Sequence, residues 1–149
     1  MRPLWELADW LRQIRRQMRF GELSRSPLEL LRLELRGDRV ECDWMVRAGD
    51  PWDADLPPTQ RERHVSEQAL KDAMNVRDLL FSEMPGVRSA VLRAYRPSHD
   101  GESRELVIAG VVGRDDGVRQ GIRSLAMRVK LCGLQFRLDD GVLRALQEQ

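Results

Sequence analysis

Three aspartates crowd one short stretch, Asp50, Asp53 and Asp55, within Gly49-Asp50-Pro51-Trp52-Asp53-Ala54-Asp55-Leu56-Pro57-Pro58. With His64 or Glu67 nearby they could hold Mg²⁺, which takes hard oxygen ligands and often needs only one or two carboxylates. A metal so placed would serve phosphodiester hydrolysis. The surrounding pattern does not support it: no Ca²⁺-loop glycine and no helix-borne pair of histidines accompanies the aspartates, and acids among prolines are ordinarily solvated. Neither a metal nor a cofactor is expected. His64 and His99, the two histidines of the chain, lack a cysteine or second histidine at zinc spacing and read as surface residues.

Other chemistry is as thin. Gly113, Gly117 and Gly121 fall four apart around Asp115-Asp116, a pattern that allows a strand or an anion to approach a helix start closely. The Gly-Lys-Ser/Thr ending of a phosphate loop is missing. Serine nucleophile elbows and reactive cysteine pairs are absent. RNA-binding sheets present aromatic platforms on their central strands, and Tyr95 alone answers that description. Trp52 sits between prolines that stiffen its loop; it either folds back onto the core or stands out as an anchor for a partner, the role in which tryptophan is enriched.

Charge narrows the field further. The 25 basic and 24 acidic residues leave a formal net charge of +1, so no global pull toward nucleic acid or anionic membrane exists. Arginine outnumbers lysine 23 to 2, and its even spread among acids reads as the codon usage of a GC-rich genome rather than phosphate recognition. Cys42 and Cys132 fall within apolar patterns, which suits buried free thiols in a reducing compartment. Glu6 and Asp9 interrupt the first apolar stretch, so no secretory signal is read. The longest uncharged apolar run, Leu106 to Gly113, is far below the roughly 18 residues of a membrane span. A cytoplasmic protein without membrane attachment is expected.

The elements that must carry these residues follow from periodicity. Leu4, Leu7, Leu11, Ile14 and Met18 recur at helical spacing over residues 1–20, with Trp5 and Trp10 widening the stripe and Arg12, Arg15, Arg16 and Arg19 beside it. This is an amphipathic helix. In 28–47 Leu31, Leu33 and Leu35 alternate with charges, then Gly37-Asp38, then Val40, Cys42, Trp44 and Val46 alternate again. That predicts a hairpin pairing Leu35 with Val40, Leu33 with Cys42, Leu31 with Trp44 and Arg32 with Asp43. The loop 48–58 follows.

The core lies in 59–138. A helix runs from a capping box at Thr59 and Glu62 to the brake at Pro85-Gly86, with Val65, Ala69, Ala73, Val76, Leu80 and Met84 on its apolar face and Glu67, Lys71, Asp72 and Asp78 off it. Val87 to Arg96 and Leu106 to Val112 read as strands joined by the polar loop 97–103. The second, apolar on both parities, should be covered on both faces. A helix capped at Asp115 or Asp116 then runs to Leu131, Leu134, Phe136 and Leu138 form a short strand, and Asp140-Gly141 leads into a last helical turn.

These elements make 1–149 a single α+β domain with a ferredoxin-like βαββαβ-type element order; the alternative is two ββα halves in one mainly antiparallel sheet. No acid–base set converges. The expected function is a non-enzymatic interaction or regulatory domain of bacterial type, self-associating as a homodimer through Leu7, Trp10, Leu11 and Ile14, with Trp52 as a further contact. The rivals are a metal-dependent phosphoesterase or nuclease using Asp50, Asp53 and Asp55, and nucleic-acid binding through the basic helix.

Overall fold

The structure, a computed structural model, describes residues 28–47, 55–98, 100–114 and 124–146. Alternation produces the first hairpin. Strands β1 (Glu29–Arg36) and β2 (Arg39–Met45) meet at Gly37-Asp38, where Gly37 takes a φ of 61° that a side chain would resist. Leu35 faces Val40, Leu33 faces Cys42 and Arg32 faces Asp43, as the pattern requires. Beyond that point the register shifts, and Leu30 rather than Leu31 lies opposite Trp44. The extra residue is a bulge, and it removes Leu31 from the core-facing series. Leu30, Leu33 and Leu35 are the β1 leucines that pack on the core.

Helix α1 (Pro58–Glu83) connects β2 to β3 (Ser89–Pro97). Its first residue is a proline, which loses nothing there because that N–H would lack an intrahelical acceptor. Thr59 is therefore already inside the helix, and no side-chain cap forms, so the expected box with Glu62 is not made. Ala69, Ala73, Val76 and Leu80 are buried as the spacing demands, and Met84 ends the helix by donating its N–H to the Leu80 carbonyl. Asp72, expected off this stripe, is buried as well: it lies three residues after Ala69 and four before Val76, which is the same face.

Strand β4 (Arg104–Gly113) returns antiparallel to β3. Helix α2 (Leu125–Leu131) is capped by Ser124, whose extended backbone and side-chain bond from the Met127 N–H start the helix there. It does not run through from Asp115 or Asp116, which with Gly117 and Gly121 lie outside the described residues. After β5 (Leu134–Asp139), Asp140 and Gly141 both adopt positive φ, 54° and 79°. Two successive left-handed residues make a tight hairpin turn. The chain accordingly continues as strand β6 (Val142–Arg144) instead of the expected helical turn.

All six strands join in sequential order, β1-β2-β3-β4-β5-β6. Neighbours are antiparallel except β2 and β3. The βαββαβ succession from β2 to β5 is present, but the ferredoxin-like sheet is not: that arrangement splits its βαβ unit with an intervening strand, and here β2 and β3 are direct neighbours. The pairing follows the alternative, two ββα units side by side with a third hairpin appended. The first half of β5 pairs with β4 and its second half with β6. The last hairpin reaches α1, where the Leu143 N–H donates to Ser66 Oγ at 2.9 Å and Arg63 Nε donates to the Asp140 carbonyl at 2.8 Å.

One face of the sheet carries the core. Val40, Cys42, Trp44, Ala90, Leu92, Ala94, Ile108 and Val112 are fully buried there with Val76, Leu80 and Val129 of the helices. Where β4 meets the start of β5 the backbones nearly touch: a Cβ on Gly110 would lie 2.3 Å from the Gly133 carbonyl oxygen, so only glycine fits.

Candidate functional site

Residues paired directly across neighbouring strands share a face, so the register also defines the surface opposite the helices. It holds Arg32, Glu34 and Arg36 of β1, Glu41, Asp43 and Met45 of β2, Val91, Arg93 and Tyr95 of β3, and Ala109 and Val111 of β4. The charges form one lattice. Arg93 reaches Asp43 at 3.2 Å and Glu41 at 3.4 Å; Arg36 donates to Glu34 at 2.7 Å; Arg32 bonds Glu34 and lies 3.5 Å from Glu41. Hydrogen bonds from Arg36 and then Arg32 hold the Glu34 carboxyl below its ordinary range.

Beside the lattice the surface is apolar. Val111, on the fourth strand of six, is 48% exposed, and Met45, Val91, Tyr95 and Ala109 are half-buried. The Arg104 guanidinium lies 5.5 Å from the Tyr95 ring centre. Strand β4 is thus covered on the helix side, while among the described residues no element covers its other side as its composition led us to expect. In α+β folds the helices gather on one face of a mainly antiparallel sheet, and the other face is left to solvent or to a partner.

Two buried polar clusters brace this platform from behind. Arg47, just past β2, forks onto Asp72 of α1 at 2.8 and 2.6 Å, and Gln68 adds a bond to the same carboxylate at 2.7 Å. Burial pushes the Asp72 carboxyl up, and the guanidinium and the Gln68 amide pull it back down. At the other end Arg77 and Arg114 flank the Phe81 ring at 5.2 and 5.0 Å. Arg114 donates to the Met84 and Val87 carbonyls and Arg77 to that of Gly113, tying the end of β4 to the end of α1. The sequence carries one usable signal for the first cluster, Gln68 and Asp72 four apart on the apolar side of a helix. For the second it carries none, since these arginines resemble the others.

Of the residues singled out for chemistry, the structure describes Asp55 and His64. Asp55 is exposed and His64 half-buried. Asp50, Asp53, Trp52 and His99 lie outside the described residues, as do Leu7, Trp10, Leu11 and Ile14. Among the described residues no group of three or more His, Cys, Asp or Glu side chains could hold a metal ion. Burial raises the Cys42 thiol to about 12 and also raises that of Cys132, so neither is a ready nucleophile. Comparison with family models, curated proteins and solved structures gives no match to this chain.

Proposed function

We propose that this chain is a non-enzymatic interaction domain that works through protein–protein contacts and associates with itself. The observation that supports this most directly is the open sheet face, where Val111 stands 48% exposed on an interior strand beside half-buried Met45, Val91 and Tyr95. An apolar surface rimmed by paired charges suits a macromolecular partner, because it gains by excluding water and has no unpaired group to perform acid–base work. The amphipathic segment 1–20 supplies a matching surface in sequence, and a two-fold homodimer using Leu7, Trp10, Leu11 and Ile14 buries it. Trp52 is a second anchor in this reading.

The rivals gain less. The metal-dependent reading rests on Asp50 and Asp53 and draws no support from exposed Asp55. Nucleic-acid binding rests on Arg12, Arg15, Arg16 and Arg19, outside the described residues; the open face adds nothing to it, because Arg32, Arg36 and Arg93 there are each paired with carboxylates. The two free, buried thiols fit a reducing cytoplasm. No helix among the described residues is long and apolar enough to cross a membrane. Native mass spectrometry of protein taken from its own host tests the proposal. A dimer mass without metal or nucleotide adducts is expected; a monomer carrying a stoichiometric ion or oligonucleotide overturns it.

A further inference from the structure

We propose that residues 137–146 form a strap that is held closed by docking against α1 and β3, and that it opens by itself while the rest of the sheet stays folded. This inference is independent of self-association. The pivot lies inside β5, where Leu134 to Phe136 pair with Gly110 to Ile108 of β4 and the next three residues, Arg137 to Asp139, pair with Arg144 to Val142 of β6. Beyond that pivot the chain buries little. Of residues 137–146, Val142 and Leu143 are buried, while Arg137 through Gly141 and Arg144 are exposed. Leu138, directly opposite Leu143, is already 40% exposed, so the apolar layer that holds Leu134 and Phe136 runs out there.

The hairpin does not hold itself. Its Asp140-Gly141 turn is locally favoured, but three cross-strand pairs are too few for a two-stranded hairpin to persist alone in water. One of those pairs sets Arg137 directly opposite Arg144, like charges that weaken the ladder, and Asp139 relieves Arg144 at 3.3 Å. The fastenings come from other elements. Leu143 turns both backbone groups away from β5: its N–H donates to Ser66 Oγ of α1 at 2.9 Å, and its carbonyl accepts from the Arg96 guanidinium of β3. Arg63 of α1 clasps Asp140 through the carbonyl at 2.8 Å and the carboxylate at 2.7 Å, an exposed contact of small worth. The Leu146 N–H donates to the Leu106 carbonyl of β4 at 2.8 Å. Side chains thus bond the outer edge of β6, and they can let go without breaking a ladder of the main sheet. Opening uncovers Ser66, Arg96 and the Leu106 end of β4, so the strap is a movable cover over that corner. Units with few buried contacts open at a lower free energy than the whole fold.

Amide hydrogen exchange on the full chain tests the strap. Because Leu143 faces outward, Val142 and Arg144 direct their N–H groups at β5 and report on the hairpin, whereas Leu92, paired on both sides, reports on the whole fold. As urea is raised below the unfolding transition, exchange at Leu92 should rise steeply and exchange at Val142 should barely change, since a local opening exposes little surface. Val40→Ala, on β2 and four strands from β6, should speed Leu92 about thirtyfold and leave Val142 unchanged. Ser66→Ala, which removes a fastening, should speed Val142 at least about fivefold. If Val142 follows Leu92 in urea and accelerates equally in Val40→Ala, the hairpin opens only with the whole fold and the strap is overturned. Exchange at Val142 that ignores Ser66→Ala overturns the fastening on α1.

Discussion

Removing Asp72 should be among the most damaging single changes in the core. Asp72→Ala leaves the Arg47 guanidinium, only 3% exposed, without its carboxylate. Breaking a buried pair from one side typically costs about 3–5 kcal/mol, a large part of the roughly 5–15 kcal/mol that holds a domain folded. Arginine cannot shed its proton, so the stranded guanidinium cannot relieve this loss by neutralising itself. Arg47→Met behaves differently, because the stranded group can neutralise itself. Burial already pushes the Asp72 carboxyl above its ordinary 3.8, and without the guanidinium it rises further. A carboxyl raised in the folded state contributes stability in full below its unfolded value and loses it as pH rises through the folded one. The deficit of Arg47→Met should therefore be smaller at pH 5 than at pH 8. Arg47→Met with Asp72→Leu, which removes both charges, should recover most of the loss. Urea melts at the two pH values measure all of this. An Asp72→Ala cost under about 1 kcal/mol, or an Arg47→Met deficit equal at both pH values, would refute the reasoning.

Three further outcomes follow from the same geometry. In denaturant melts Val40→Ala, at a fully buried position, should cost about 2 kcal/mol, half-buried Leu33→Ala about 1–2, and exposed-face Glu34→Ala under about 0.5; equal costs would mean that the faces are misassigned. Because the Cys42 and Cys132 thiols are both raised and buried, native protein at pH 8 should not react with an aromatic disulfide reagent, and denatured protein should release two equivalents; rapid native labelling contradicts this. Millimolar Mg²⁺, Mn²⁺ or Ca²⁺ should leave the melting temperature unchanged, since a ligand stabilises only by preferring the folded state; a saturable rise abolished by Asp53→Ala would favour the metal-dependent reading.

Local order was legible where one physical rule acts alone. Alternation around Gly37-Asp38 specified most of the first hairpin, and Pro85 marked the end of α1, because period and backbone restriction leave few alternatives. Legibility failed where distant groups decide. The bulge shows only in the register with β2, where Leu30 rather than Leu31 meets Trp44; the hairpin at Asp140-Gly141 is by contrast a local matter, since Asp-Gly is a favoured pair for a turn of two positive-φ residues. Strand order is a property of the whole sheet, and a βαββαβ succession is compatible with both split and unsplit pairing. The open face was the least legible feature. Leu106 to Val112 is apolar on both parities, which describes a strand buried on two sides or a strand with one side awaiting a partner.

Light scattering at tens of micromolar, on the intact chain and on a chain beginning at Glu22, tests self-association most directly. The intact chain should scatter as a dimer, because the segment bearing Leu7, Trp10, Leu11 and Ile14 supplies most of the interface, and the shortened chain should scatter as a folded monomer. An intact chain that is monomeric at that concentration, or a shortened chain that remains dimeric, would contradict the account.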